Sequence, residues 1–160
     1  MLTIRPATVE DAPLLRTLIR ELADYEHGLE LVSIAEADIV RDGFGPDHKF
    51  RAVIAEWDGH PAGYAVFFEV YSTWHGRPAL FLEDLFVRGQ FRGKGIGKGL
   101  LAHVAAAARR ENCYAVRWEV LDWNQFAIDF YEGVGAKFRN EWRSMSLANE
   151  PLQRLSDDVT

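Results

Sequence analysis

The residue pattern predicts a mixed α/β domain with a central hairpin and later crossover helices. Three observations support this prediction. Apolar residues recur at helical spacing early in the chain, an Asp58-Gly59 turn joins two strand-like runs, and strand gives way to helix twice in the second half. The resulting element order is β-α-α-β-β-β-α-β-α-β.

The first element is a short strand, and a helix follows it. Residues 2–5 alternate between apolar and polar side chains and meet Pro6, which cannot donate a hydrogen bond to a sheet. Thr8 and Asp11 have the spacing of a capping box, and leucine and isoleucine then recur at helical spacing as far as Tyr25. One face of this helix is therefore expected to be buried.

A second capping pair, Ser33 with Glu36, opens a shorter helix that ends before the loop 43–46. Strands are predicted next at residues 50–57, 63–71 and 80–87. The last of them is apolar except for Glu83 and Asp84. Neighbours in a strand point to opposite faces, so we expect only one of these carboxylates to face a substrate.

The second half alternates helix with strand. Residues 90–99 carry four glycines and lead into a helix over residues 100–112. A strand at 114–121, a helix at 124–134 and a last strand at 138–147 follow. The polar end is expected to fray, so residues 1–152 are expected to form one domain and residues 153–160 a tail.

The composition excludes several classes of protein. With 48% apolar and 26% charged residues, the 160-residue chain is typical of a globular domain, and no apolar run approaches the roughly 20 residues that cross a bilayer. The first 13 residues lack a basic leader with an apolar run, so we expect a cytoplasmic setting. The net charge of −6 argues against nucleic-acid binding and favours cationic partners.

Metal chemistry has little support in the sequence. Cys113 is the only cysteine, so an internal disulfide is impossible, and the five histidines form no close pair. We therefore expect no metal cofactor, and Cys113 is expected to be a small buried hydrophobe.

The glycine-rich loop between a strand and a helix indicates an anion site, because unpaired amides and the helix dipole attract negative charge. Arg92, Lys94 and Lys98 also concentrate positive charge there in an otherwise acidic chain. A nucleoside-triphosphate loop is excluded because Arg92 and Gly99 occupy its first glycine and its hydroxyl positions, and a dinucleotide fingerprint fails on its third glycine. Glycine spacing alone leaves a phosphate loop and a simple flexible connection equally open.

The run Gln90-x-x-Gly93-x-Gly95 resembles the acyl-CoA pyrophosphate loop of the GNAT superfamily of N-acetyltransferases. Residues 81–87 (FLEDLFV) and 122–131 (DWNQFAIDFY) resemble its diamine acetyltransferase branch, which is spermidine/spermine acetyltransferase-like. The resemblance covers nearly the whole chain. It implies a GNAT fold with a central, mostly antiparallel twisted sheet flanked by helices, acetyl-CoA as co-substrate, and a homodimer.

The resemblance also implies three groups of cofactor-binding residues. They are the strand residues Leu85, Phe86 and Val87, the loop residues Arg92, Gly93, Lys94, Gly95, Ile96, Gly97 and Lys98, and the helix residues Asn124, Gln125, Phe126, Ala127 and Tyr131. Backbone amides of the strand group would bind the pantetheine arm and the thioester. Helix capping alone would also explain Asn124.

Acetyl transfer to an amine needs a base and an acid. An aliphatic amine has a pKa near ~10.4 and attacks only as the neutral form, whereas the departing thiolate benefits from a proton donor. By resemblance Glu83 binds the amine and takes its proton, directly or through water, although a solvent-facing role remains open. Tyr131 matches the family's Asn-x-x-x-x-x-Phe-Tyr pattern, which implies a phenol acting as general acid; at this helical spacing an aromatic residue is otherwise part of a core.

The acceptor side is implied by a further set of positions that bind substrate in the diamine branch: Tyr25, Glu26, Arg117, Trp118 and Glu119. Carboxylates and aromatic faces suit a cation, whereas Arg117 does not obviously help. In a regular strand Trp118 would face away from Arg117 and Glu119, so ordinary surface and core roles remain open for this set.

The function that these observations predict is acetyl-CoA-dependent N-acetylation of a primary amine on a small cationic metabolite, by direct attack in a ternary complex. A polyamine or diamine is the first expectation, and thialysine or another amino-acid amine is the alternative. From a different class, the chain could be a non-catalytic acyl-CoA-binding module. No nucleic-acid or membrane partner is expected.

Overall fold

The computed structural model describes residues 1–159 and divides the chain into two compact units, Met1–Glu119 and Val120–Thr160. The first unit contains five strands and three α-helices: β1 (Leu2–Pro6), α1 (Ala12–Tyr25), α2 (Glu36–Phe44), β2 (Arg51–Trp57), β3 (His60–Ser72), β4 (Arg77–Val87), α3 (Ile96–Arg110) and β5 (Val116–Arg117). The second unit contains α4 (Gln125–Gly133) and α5 (Asn149–Asp157).

The five strands form one sheet in the order β1-β2-β3-β4-β5. The first four pair antiparallel, and β5 joins β4 in parallel through only two pairs, Leu80 with Val116 and Phe81 with Arg117. This arrangement confirms the predicted mixed α/β class with a mostly antiparallel sheet flanked by helices.

Apolar side chains pack on both faces of the sheet. On one face, Leu15 and Leu18 of α1 and Ile39 of α2 form a cluster with strand residues such as Tyr64, and all four are fully buried. On the other face α3 packs so closely that a Cβ on Gly99 would lie 3.0 Å from the Leu2 and Ile4 side chains.

Two helix starts differ in their outcome. The Thr8–Asp11 pair forms as expected, with the Thr8 N–H donating to Asp11 Oδ2 at 2.8 Å. The expected Ser33–Glu36 cap was wrong, because α2 begins at Glu36 and the Ala35 N–H donates to Asp38 Oδ2 at 2.9 Å. Ala35 and Asp38 have the same three-residue spacing as Ser33 and Glu36, two positions later in the chain, and Asp38 provides the acceptor.

Helix α3 begins at Ile96, four residues before the predicted start. Gly97 and Gly99 have low intrinsic helix propensity, so the sequence predicted a later start. Packing reverses that preference, because the missing side chain at Gly99 lets α3 approach β1.

Two predicted strands are shortened or absent. The strand expected at 114–121 is reduced to Val116–Arg117, and residues 138–147 form no strand. Alternating polarity produces a strand only where a neighbouring strand accepts its hydrogen bonds. Within the described part of the second unit there is no such neighbour.

The C-terminal residues 153–157 lie in α5, whose side chains are all exposed, and Thr160 lies outside the described residues. The expected domain boundary at residue 152 stays a prediction. None of the helices in residues 1–159 is long and apolar enough to cross a membrane.

Candidate active site

The glycine loop enters α3 with an open, amide-rich surface. Gly93 and Gly95 both have φ +77°, which strains any residue with a side chain, and a Cβ at either position would meet nothing within 4 Å. The first helical bond runs from the Gly99 N–H to the Gly95 carbonyl at 3.0 Å, so the three preceding N–H groups have no acceptor within the helix. This donor set fits a pyrophosphate group such as that of an acyl-CoA.

The lysines of the loop add positive charge to this surface. Lys94 and Lys98 are exposed, and Lys94 Nζ lies 4.8 Å from the ring centroid of Trp57 at the end of β2. Ile96 is buried, and Gly97 is half-buried in the first turn of α3. The sequence-predicted loop residues are therefore contiguous at one helix N-terminus.

The strand β4 separates from β5 just before the loop. Beyond Phe81 the β5-side edge of β4 has no strand partner within residues 1–119. Leu85, Phe86 and Val87 lie on this unpaired edge, and the Val87 carbonyl accepts a hydrogen bond from Arg92 Nε at 3.1 Å. A strand edge without a neighbour can offer its backbone groups to a ligand. The family resemblance implies this role for these three residues.

A β-bulge lies at Glu83. The register passes from Leu82 opposite Phe67 to Asp84 opposite Val66, so Glu83 has no opposite residue on β3. Strict alternation does not hold across a bulge, so the expectation that Glu83 and Asp84 point to opposite faces does not apply. Glu83 is exposed and Asp84 is half-buried.

Asp84 accepts a hydrogen bond from a buried tyrosine, Tyr64, on the neighbouring strand. The Tyr64 hydroxyl donates to Asp84 Oδ2 at 2.9 Å, and Tyr64 is fully buried in the core. Burial raises the pKa of Asp84, the Tyr64 hydrogen bond lowers it, and the negative charges of Glu83 and Glu26 raise it; together they bring it to about 6. Burial and the Asp84 charge also raise the pKa of Tyr64 well above its ordinary value.

Glu26 completes an acidic group with Glu83 and Asp84. It follows α1 directly, burial raises the pKa of its carboxyl, and its charge acts on both Asp84 and Tyr64. The charges of Glu83 and Glu26 raise the pKa of Asp84, and a cation bound beside these carboxylates would relieve that repulsion. Sequence reasoning gave Asp84 no role, and its only signal was a second acid in an otherwise apolar strand.

The other acceptor-side residues lie at two places in the first unit. Tyr25, the last residue of α1, packs against the core, and the Arg92 guanidinium carbon lies 4.5 Å from its ring centroid. Arg117 pairs with Phe81, two residues before Glu83, while Trp118 and Glu119 come after the end of β5. The alternation argument therefore does not apply to Trp118 and Glu119.

The second unit carries the predicted acid and the predicted helix contacts. Asn124 is buried and caps α4, its Oδ1 accepting from the Ala127 N–H at 3.2 Å, as its position predicts. Gln125 and Phe126 are exposed. Tyr131 is half-buried on α4, and its ring centroid lies 5.1 Å from that of Phe130. The cofactor and acid roles of these residues stay predictions.

Within residues 1–159 no group of three or more histidine, cysteine, aspartate or glutamate side chains is arranged to hold a metal ion.

The raised pKa of Asp84 gives a stability prediction. A carboxyl whose pKa rises from 3.8 to about 6 on folding holds its proton more tightly in the native state, so stability falls as the pH rises through this range. Asp84→Asn removes the charge and keeps an acceptor for Tyr64, so we expect it to raise the free energy of unfolding at pH 8 by up to about 3 kcal/mol. At pH 4 the gain should nearly vanish.

Urea unfolding at the two pH values checks this, with Asp24→Asn on the exposed face of α1 as the matched control. An Asp84→Asn protein that is less stable than wild type at pH 8 would contradict the expected penalty.

Comparison with known proteins agrees with this geometry. The acetyltransferase (GNAT) family matches residues 14–136. Thialysine N-epsilon-acetyltransferase from Sus scrofa is 37% identical over 164 residues, covering 96% of this chain and 96% of that protein. Spermidine/spermine N(1)-acetyltransferase-like protein 1 from Homo sapiens is 34% identical over 83% of this chain and 20% of that protein.

The fold has close relatives among solved structures. An integron cassette protein from Vibrio cholerae superposes with a TM-score of 0.82 at 24% identity, covering 98% of both chains. At that identity the likeness concerns the fold alone. The family match extends over most of the chain, and the pig relative is similar over nearly its full length. The chain therefore belongs to the acetyltransferase (GNAT) family and is an N-acetyltransferase.

Proposed function

We propose that this enzyme transfers the acetyl group of acetyl-CoA to a primary amine of a small cationic metabolite, with a polyamine or diamine as the first candidate acceptor. The observation that carries the proposal is the acidic group of Glu26, Glu83 and Asp84 beside the Tyr64 hydroxyl, in the same unit as the glycine loop. The acidic group suits a cation, and the loop suits a polyphosphate.

The proposed binding groups for the acetyl donor are the glycine loop and the unpaired edge of β4. GNAT acetyltransferases use acetyl-CoA, which supplies an acetyl group activated as a thioester. The loop amides and the exposed Lys94 and Lys98 would hold its pyrophosphate. Backbone groups of residues 85–87 on the unpaired edge of β4 would hold its arm and polarise the carbonyl. Residues 124–127 of the second unit are proposed to make further contacts.

The carboxylates prepare the acceptor. The acidic group attracts the ammonium ion, and the exposed Glu83 takes one proton from it, directly or through water. The neutral nitrogen then forms the N–C bond to the acetyl carbon as the C–S bond breaks. Tyr131 gives its phenol proton to the departing sulfur and regains one from the acylated nitrogen. The products are the amide and the CoA thiol.

Arg117 favours a second class of acceptor. It is the cation among the proposed acceptor residues, and its pairing with Phe81 places it near the bulge at Glu83. An amino-acid acceptor such as thialysine carries an α-carboxylate that could pair with Arg117, whereas a polyamine carries only positive charge. The pig relative is named for thialysine, and the human relative for spermidine and spermine. We therefore keep an amino-acid amine as the second candidate.

The experiment is CoA-thiol release from acetyl-CoA with separate acceptors: putrescine, spermidine, spermine, lysine, thialysine and an aminoglycoside. Release with a cationic amine supports the proposal, and the preferred amine identifies the acceptor class. An Arg117→Gln variant should raise the KM for thialysine and leave that for putrescine unchanged if the amino-acid class is correct. Acetyl-CoA binding without release for any amine would instead favour a non-catalytic acyl-CoA-binding module.

We also propose that the enzyme acts as a homodimer in the cytoplasm. The second unit exposes several large apolar side chains, among them Phe138, Trp142, Met145, Leu152 and Leu155. Apolar side chains exposed on this scale are typical of surfaces that another chain covers.

Light scattering after size-exclusion chromatography tests the dimer. We expect a mass of twice 18.2 kDa for the wild type and a shift towards the monomer for Leu152→Glu with Leu155→Glu. Gln153→Glu on the same helix is the control for added charge. A wild-type monomer at all concentrations would contradict the proposal.

A further inference from the structure

The segment that leads into the glycine loop is attached to the C-terminal half of α1 at two points. Arg88 Nε and Nη2 donate to the two carboxylate oxygens of Glu21, both at 2.7 Å, and Arg88 Nη1 donates to the Pro61 carbonyl at 2.9 Å. Four residues later the Arg92 guanidinium lies over the Tyr25 ring, 4.5 Å from its centroid. The loop and the end of α1 are therefore joined by direct contacts.

The end of α1 is also the proposed acceptor side. Tyr25 is followed directly by Glu26, whose negative charge acts on Asp84 and Tyr64. Arg92 thus belongs to the loop by sequence and touches the acceptor side through its side chain. Its Nε donates to the Val87 carbonyl at 3.1 Å, which fixes where the guanidinium lies.

We propose that Arg92 makes the binding of acyl-CoA and of the amine interdependent. This inference rests on the proposed function. A guanidinium over Tyr25 repels an ammonium ion that binds beside Glu26, because two like charges at close range oppose each other. A pyrophosphate in the adjacent loop offsets the charge of Arg92. Occupation of the loop therefore tightens amine binding, and by reciprocity the amine tightens acyl-CoA binding.

Lys94 provides a matched comparison within the same loop. Its ammonium lies 4.8 Å from the Trp57 ring centroid, a cation–π contact like that of Arg92, but Trp57 ends β2 and is not among the acceptor residues. Loss of Lys94 should weaken acyl-CoA binding without uncoupling it from the amine. Loss of Arg92 should uncouple the two ligands.

The experiment is calorimetric titration with CoA itself, which carries no acetyl group and so permits no turnover, and with the amine that gives the highest turnover in the thiol-release panel. The dissociation constant of the amine is measured with and without saturating CoA. For the wild type we expect CoA to tighten amine binding by about 5- to 50-fold, within the usual range of coupling between sites. The tightening should shrink as the salt concentration rises.

Three variants complete the test. In Arg92→Gln the ratio of the amine dissociation constants without and with CoA should fall to about one. The main reason is that, without CoA, the amine should bind this variant more tightly than it binds wild type. Arg92→Lys keeps the charge and should retain part of the ratio, whereas Lys94→Gln should retain all of it with weaker CoA binding. A purely structural role of Arg92 would weaken both ligands and leave the ratio intact.

Full coupling in Arg92→Gln, or independent binding of the two ligands in wild type, would overturn the inference while thiol release continues. A wild-type protein that binds no CoA and releases no thiol would instead overturn the proposed function.

Discussion

Replacing Tyr131 with phenylalanine is expected to lower turnover by about 10²- to 10⁴-fold, the usual contribution of a positioned general acid or base. The change removes only the phenol hydroxyl, so the ring remains on α4 beside Phe130. Steady-state kinetics should show the loss in kcat, and calorimetry should show nearly unchanged acetyl-CoA affinity. Tyr71→Phe is the matched control, because Tyr71 is exposed at the far end of β3.

The identity of the leaving group provides a second readout. If Tyr131 protonates the sulfur, the loss of turnover in Tyr131→Phe should be smaller with an acyl donor whose thiol is more acidic, because that thiolate leaves without a proton more readily. Equal turnover in Tyr131→Phe and wild type would remove this residue from the acid role.

The second large effect is expected at the acidic group. Glu83→Gln should lower kcat/KM for a cationic amine by about 10²- to 10³-fold near pH 7, because the variant neither attracts the ammonium ion nor takes its proton. Glu69→Gln is the control, since it also removes one exposed carboxylate from the sheet, on β3. Acetyl-CoA affinity should change little in either variant.

The pH dependence distinguishes the roles of Glu83 and Asp84. The pKa of Asp84 is raised to about 6, chiefly by burial, and its ionised form attracts the cation, so we expect kcat/KM to rise as the pH increases through 6. Asp84→Asn should remove this limb. Glu83→Gln should lower the whole profile and, because it removes a charge that raises the Asp84 pKa, should also move this limb to lower pH. An unchanged profile and amine KM in that variant would contradict its assignment.

Local patterns predicted the parts of the fold that depend on local interactions. The amphipathic α1 and the hairpin at Asp58-Gly59 follow from periodicity and turn chemistry, and both are present. The early start of α3 depends on contact between Gly99 and the distant β1, which no local window contains. The strand at 138–147 was predicted without identifying a partner for its hydrogen bonds.

The candidate site likewise contains one part that the sequence predicted and one part that it did not. The glycine loop was predicted to bind an anion from its positive charge and its resemblance to an acyl-CoA loop, because glycine spacing alone left a flexible connection equally open. Its open amides and positive φ angles agree with an anion site. The importance of Asp84 was missed because it depends on the bulge at Glu83 and on the Tyr64 hydroxyl, twenty residues away in the chain. A burial-dependent pKa arises only when distant segments pack together.

The central claim, direct acetyl transfer to an amine, is tested most directly by following labelled acetyl in a single turnover. Enzyme in excess over [¹⁴C]acetyl-CoA is mixed with the preferred amine and quenched, and label is measured in protein, amine and free acetate. Direct transfer within a ternary complex predicts label in the amine, none on the protein, and none on the protein when the amine is omitted. Label bound covalently to the protein, or found only as acetate, would contradict it.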